Sequence, residues 1–503
     1  MKTLSTIVFS FVLLLGTVFF PGVAHAGQFL IHNSTNHPIN CHADGYPERL
    51  AVSPNETFTL ARESSISKID WVECEGYTVG KLNVTSSSPD RYLSFNGQAK
   101  QTLSVLLYPY LPTTPDGNFQ PMVERIVNEF QAKNPDILLN AVLTLNGDYD
   151  TYTYENLPIL LGKDGFDVVE LDTFMFNYLV EHHLIVPTPK GISTSEFWPV
   201  GLSASTYNGT LYGIPSWLCS YFLFARDQKI WTIDSVEKLI DYFVVPPSRW
   251  PNLIADFNSF WNLISFYLDG YADLYGLDQV PNALIKPIDS AVINNLVKMT
   301  GECRVGPNNN CINKYYNTNP SMSVQDFAQG TGDSLIGFSE QSFSILTSNP
   351  KSSLFFATAA PYGSQLFPLL FTDSFVFNSS TCRDTNSKCQ VASVQFMKYM
   401  NSLETKLWIT FSKDLPNGTP PRRSLPAIQA FYQHPDVRND ELYPQFEKIL
   451  QNKNANFPNS ISPEKQYSMY FDICRAFNEA EPDYPRCDLQ RTRERVFRRA
   501  KDF

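Results

Sequence analysis

The spacing of hydrophobic residues changes near residue 100. Before it, "QFLIHN", "ETFTLA" and "KIDWVECEGYTVGKL" are short strand-like runs between Asn, Pro and Ser clusters. They predict a small β-rich accessory domain over residues 27–100 with no helical period. From Leu103 the rhythm alternates. "LSVLLYPYLP" reads as an apolar strand ending in a turn. "NFQPMVERIVNEFQAKNP" places Phe119, Met122, Val123, Ile126, Val127 and Phe130 on one helical face, and Asn134-Pro135 stops it. "DILLNAVL" and "FDVVELD" return as strands, "TFMFNYLVEHH" as a helix, and "LIVPTP" as the exit from it. Strands alternating with helices predict parallel βαβ units and an α/β fold.

The apolar run from about Ile7 to Phe20 is different. Lys2 precedes it, Pro21-Gly22 end it, and Ala24-His25-Ala26 has the small-x-small form of a cleavage site. This is the pattern of a secretory leader over residues 1–26, and the run is short for a membrane span. No later stretch is long and apolar enough to span. Six sequons, at Asn33, Asn55, Asn83, Asn208, Asn378 and Asn417, agree with a secreted glycoprotein and predict surface positions for these asparagines. A net charge of −11 argues against nucleic acid as a partner. The basic stretch Arg491–Lys501, in a tail over 475–503, reads as a short solvated helix.

Nine cysteines are present. The simplest scheme pairs neighbours: Cys41 with Cys74, Cys303 with Cys311, Cys382 with Cys389, and Cys474 with Cys487. It leaves Cys219, inside the apolar and aromatic "LYGIPSWLCSYFLFAR". An odd thiol in a secreted chain is either an inert buried cysteine or a nucleophile kept free for chemistry. In open α/β sheets ligands sit beyond the carboxyl ends of strands. Several chemically useful residues are expected at such ends: Tyr108 and Tyr110 after the first strand, Asp172 closing "FDVVELD", Glu340 after "DSLIGFS", and Asp373 after "LFPLLFT". Each alone is as compatible with a helix cap or a core position as with function.

Together the motifs "YPYLP", "FDVVELD", "YGIPSWLC", "FAQGTGDSLIGFSE" and "FTD" occur in an order that resembles the thiaminase I family, over roughly residues 103–470. The resemblance implies a two-lobed, type 2 periplasmic binding protein-like α/β domain over residues 101–474. It implies transfer of the pyrimidinylmethyl group of thiamin to an amine or thiol acceptor. In that reading Cys219 is the nucleophile and Glu340 its acid/base partner. Asp172 and Asp373 hold the aminopyrimidine, and Tyr108, Tyr110 and Trp217 supply aromatic faces. No cofactor and no metal is required, and a monomer is expected. The chain departs from the family pattern at Phe338 and Phe371, where tyrosine is frequent.

Other chemistries fit less well. The seven histidines are scattered, and the cysteines lack tight zinc spacing. A papain-like protease would need His434, the one histidine after Cys219, and "SWLCSYF" lacks that family's local pattern. A non-catalytic binder of thiamin, or a carbohydrate binder of the same fold, would leave the pairing of a free thiol with Glu340 unexplained.

Overall fold

The computed structural model describes residues 29–46, 48–60, 69–84, 91–113, 119–144, 152–243, 249–313, 321–352, 355–384 and 387–481. The expected leader, Cys487 and the basic run Arg491–Lys501 lie outside the described residues.

The N-terminal unit contains seven strands: β1 Phe29–Asn33, β2 Ile39–Ala43, β3 Leu50–Val52, β4 Thr57–Leu60, β5 Ile69–Cys74, β6 Tyr77–Val84 and β7 Arg91–Phe95. They form a sheet of order β4-β1-β7 and another of order β3-β2-β5-β6. The run read as one strand around Trp71 is a hairpin, because Glu75 and Gly76 both take positive φ (49° and 81°) and reverse the chain. Cys41 and Cys74 face each other in register and form a disulfide. The unit's own core, around Phe29, Ile31, Val72 and Leu93, meets the next domain through Leu138.

The larger domain begins with β8 (Gln101–Leu107), helix α1 (Gln120–Lys133) and β9 (Ile137–Leu143). β8 and β9 run parallel over seven residue pairs, as the βαβ pattern predicts. On α1 the predicted apolar face is the buried one: Met122, Val123, Ile126, Val127 and Phe130. Each such side chain contributes about 1.5–3 kcal/mol when removed from water. The pattern "TFMFNYLVEHH" divides into a single 3-10 turn at Thr173–Met175 and helix α2 (Phe176–Glu181), after strand β10 (Val168–Asp172).

The chain then enters the site-bearing strands: β11 (Gly213–Cys219), β12 (Phe222–Ala225), β13 (Leu253–Ile254), helix α3 (Phe260–Tyr275), β14 (Ser334–Gly337), helix α4 (Gln341–Ser348), β15 (Phe356–Ala359) and β16 (Leu369–Asn378). Helix α5 (Leu403–Thr410), β17 (Leu425–Pro426) and helix α6 (Pro463–Ala480) follow. The first lobe holds a sheet of order β17-β11-β16-β10-β8-β9, and the second a sheet of order β13-β14-β12-β15. The larger sheet is mixed rather than parallel, since β16 runs antiparallel to both β10 and β11. Helix α6 packs on α3 and runs through residue 474 unbroken, so the expected boundary there falls inside a helix.

Two crossings between the lobes matter for function. Residues 220–221 join β11 to β12, and residues 360–368 join β15 to β16. They are stitched together: Ser220 Oγ donates to Leu369 O at 3.1 Å, and Ala360 N–H to Tyr221 O at 3.1 Å. Two buried carboxylates of α3 brace the second crossing. Asp273 accepts the Tyr362 and Phe367 N–H groups (2.8 and 2.6 Å), and Asp269 accepts that of Leu369 (3.0 Å).

Candidate active site

Cys219 is the last residue of β11, at the mouth of the first crossing. It is the free cysteine among the described residues. Cys303–Cys311 and Cys382–Cys389 pair as expected, and Cys474 is disulfide-bonded.

Strand register brings the predicted residues together. Asp172 pairs directly with Asp373, and Asp373 with Trp217. One row further, Cys219 pairs with Phe371. Opposed residues share a face, and so do residues two apart on one strand. Asp172, Asp373, Trp217 and Cys219 therefore lie on one side of the sheet. Asp373 is inside β16 rather than at a strand end. Because β16 runs antiparallel, its early residues lie beside the carboxyl end of β10.

A β-bulge decides the orientation of the thiol. Pro215 pairs with Ser374 and Trp217 with Asp373, which leaves Ser216 as the extra residue on β11. Without that residue the register would slip by one, and Trp217 and Cys219 would turn to the opposite face. Proline within a strand is found at such irregularities. Pro215 was thus the one trace of the bulge in the sequence.

Glu340 follows β14 from the second lobe and stands at the N-terminus of α4. It accepts from Ser339 Oγ at 3.2 Å. Burial pushes its carboxyl up to about 7. Cys219 keeps part of its surface open, yet burial and then Asp373, Glu340 and Asp172 push its thiol well above the ordinary range. The Tyr110 hydroxyl is the neighbour that opposes this rise. Burial raises Asp172 to about 7, although its carboxylate also caps the following turn through Phe174 N–H at 3.0 Å. Asp373 is raised by burial and by Asp172, Glu170 and Glu340. The cleft thus gathers carboxyl groups that cannot all ionise while it is empty.

The aromatic residues divide by role. Tyr108 and Tyr110 are half-buried and adjacent, with ring centroids 6.3 Å apart. Trp217 is only 1 % exposed and meets Tyr110 edge-on at 6.4 Å, so it backs the cleft wall. Phe338 stacks on Tyr221 at 4.5 Å, and Phe371 contacts Trp261 at 5.2 Å. The two departures from tyrosine thus pack among aromatic rings.

Sequence reasoning missed Glu170, Ser216 and Lys406, which lie directly beneath the cleft. Their polar types carry no periodicity, and Lys406 is 187 positions beyond Cys219 in the chain.

No protein-family profile matches the chain. It is 26% identical over 392 residues to Thiaminase-1 of Paenibacillus thiaminolyticus, covering 72% of this chain and 84% of that protein. Among solved structures it is similar to thiaminase I from Bacillus thiaminolyticus, with a TM-score of 0.59 and 20% identity over 75% of this chain and 99% of the other. A Clostridium botulinum thiaminase I in complex with thiamin gives the same TM-score of 0.59 at 21% identity, with 75% and 99% covered. The GacH receptor of Streptomyces glaucescens, solved unliganded and with acarbose, follows at 0.52 and 15% identity, with 76% and 99% covered. The chain is a homologue of thiaminase I, built on the two-lobed type 2 periplasmic binding protein-like fold with a small β unit before it.

Proposed function

We propose that the protein is a thiaminase I-like transferase that degrades thiamin, secreted and acting as a monomer. The observation that carries the reading is that Cys219, the free thiol among the described residues, shares a sheet face with Asp172 and Asp373 and feels both together with Glu340. Asp172 and Asp373, side by side and raised in pKa, offer one protonated and one ionised oxygen set. That matches the donor and acceptor edge of an aminopyrimidine. Protonation of the ring by such a group makes its carbon more electrophilic.

Glu340 takes the thiol proton, and the Cys219 sulfur adds to the electron-poor pyrimidine ring carbon. The bond from the bridging methylene to the thiazolium nitrogen then breaks. Its electron pair goes to that nitrogen, and neutral thiazole leaves. Glu340 releases the thiol proton to solvent, and an amine or thiol acceptor then adds at the methylene and gives its own proton to Glu340. Expulsion of the Cys219 thiolate, which takes that proton back from Glu340, restores the ring and the resting enzyme. Tyr108 and Tyr110 present faces for the flat rings and for the cationic thiazolium, each contact worth on the order of 1 kcal/mol.

The test is incubation with thiamin and an amine or thiol acceptor, with mass-spectrometric detection of the pyrimidinylmethyl adduct. Turnover by the wild-type protein and none by Cys219→Ser is expected. Thiamin left intact with every acceptor, but still bound, would replace this reading with that of a non-catalytic binding protein. Equal turnover by Cys219→Ser would remove the covalent step.

A further inference from the structure

Beneath the cleft lies a buried group of three that the proposed reaction does not use. Ser216, the bulge residue, is fully buried. Its hydroxyl donates to Glu170 and accepts from Lys406 Nζ at 3.2 Å. Lys406 comes from α5, is fully buried, and sits 3.6 Å from the centroid of the Trp217 ring. Glu170, two residues before Asp172 on the same face of β10, also accepts the Tyr108 N–H at 3.2 Å. The Trp217 indole N–H favours the same carboxylate. Three cleft features therefore end on this group: the bulge that aims Cys219, the Trp217 wall and the backbone of Tyr108.

We propose that Lys406, Glu170 and Ser216 are positioning residues that pin the β11 bulge and set the electrostatic potential at which Cys219 ionises. The catalytic meaning of this inference rests on the thiaminase-like reading, but the arrangement itself does not. Burial of a lone lysine or a lone glutamate is costly, and each is retained here by the other. Their charges also extend to the cleft. Asp373 feels Glu170 and Lys406 with opposite sign, together with Asp172 and Glu340. Cys219 in turn feels Asp373, Glu340 and Asp172. Titration of the intervening carboxyls weakens the influence of the pair on the thiol without reversing it.

The experiment measures alkylation of Cys219 by iodoacetamide against pH in the full-length protein, a readout that needs no thiamin. Burial draws Lys406 down to about 7, so the rates are compared at pH 6, below the alkylation limb, where Lys406 is still charged. There Lys406→Met removes a positive charge and should slow alkylation, and Glu170→Gln removes a negative charge and should speed it, each by about tenfold. The double variant leaves no buried charge unpaired, which protects folding, and its rate should fall between those of the single variants. Rate changes of the two single variants in the same direction, or no change in the double and single variants alike, would overturn the proposal and leave the group as structural support. Opposite changes in a protein that never consumes thiamin would uphold it while removing the thiaminase-like reading.

Discussion

Replacing Glu340 by glutamine separates two effects that usually move together. At pH 7 an ordinary cysteine is only about 3 % thiolate, and the Cys219 thiol is raised further by burial and three carboxylates. The resting site therefore holds a protonated thiol, and the proposed reaction needs a base. Glu340, at about 7, is half ionised there and can accept a proton. Glu340→Gln should lower kcat/KM for thiamin at pH 7 by a factor on the order of 10²–10⁴. The rise of activity with pH through about 7 should disappear with it. The same change removes a like charge beside the thiol, so iodoacetamide should capture Cys219 faster, by roughly two- to tenfold. Stability should respond as well. The folded carboxyl titrates above its ordinary value of 4.5, so the native state binds more protons than the unfolded state between pH 4.5 and about 7. Wild-type stability is lost as pH rises through that window, by roughly 3 kcal/mol from this group. The variant should therefore gain up to that amount in urea unfolding at pH 8 and nothing near pH 4. A variant that keeps wild-type turnover and its limb near pH 7 would refute the base assignment. Slower alkylation would refute the electrostatic account of the thiol.

Further outcomes follow from other parts of the fold. Asp172, Asp256 and Asp273 are raised by burial to about 7, 6 and 7. Each binds protons in the native state that it would release on unfolding, so the ligand-free protein should resist urea better at pH 5 than at pH 8. Arg422 and Asp414 form a fully buried bidentate pair at 2.6 and 2.7 Å, and Arg422 Nε also holds Pro112 O at 2.6 Å. Arg422→Met leaves Asp414 buried alone and should cost about 3–5 kcal/mol by denaturant unfolding. Expressed through a eukaryotic secretory route, the folded protein should carry glycans at the exposed Asn55, Asn208 and Asn417 and none at Asn33 or Asn378, as glycopeptide mass spectrometry can show. The surface expectation for those two sequons is corrected by the structure. Asn33 Nδ2 donates to His37 O and Val52 O, and Asn378 Nδ2 to Gly162 O and Phe166 O, so neither amide is free to be modified.

Much of the site is legible in the sequence where local chemistry is unusual. Cys219 stands out because the other cysteines have neighbours to pair with. Asp172 and Glu340 stand out because short apolar strands end beside them. Asp373 is legible as a residue but not as a position, because strand direction is a tertiary property: an antiparallel β16 puts a mid-strand residue where strand ends were expected. Glu170 was hidden inside an apolar strand, where its carboxylate is tolerable only through partners from elsewhere in the chain. Lys406 was hidden by distance, on a helix whose packing against β11 no local pattern records. The bulge at Ser216 leaves Pro215 as its sole mark, and it determines which face Cys219 takes.

The charge arrangement also suggests why a thiol can remain free at the centre of the fold. In the empty cleft the carboxyls around Cys219 oppose its ionisation, and a protonated thiol is a poor nucleophile and slow to oxidise. A cationic substrate changes that balance. A thiazolium placed among Glu340, Asp172 and Asp373 offsets their repulsion of a thiolate, and an ionised Glu340 is the base of the proposed reaction. In the proposed reaction the substrate's own charge would thus prepare the thiol for attack, while a neutral pyrimidine fragment would leave it at rest. Iodoacetamide capture of Cys219 discriminates between these cases when repeated with a neutral aminopyrimidine and with a small thiazolium salt. The thiazolium should lower the pH of the alkylation limb, and the neutral ring should leave it in place. A limb indifferent to the cation would mean that the carboxyls hold the pyrimidine and take no part in arming the cysteine.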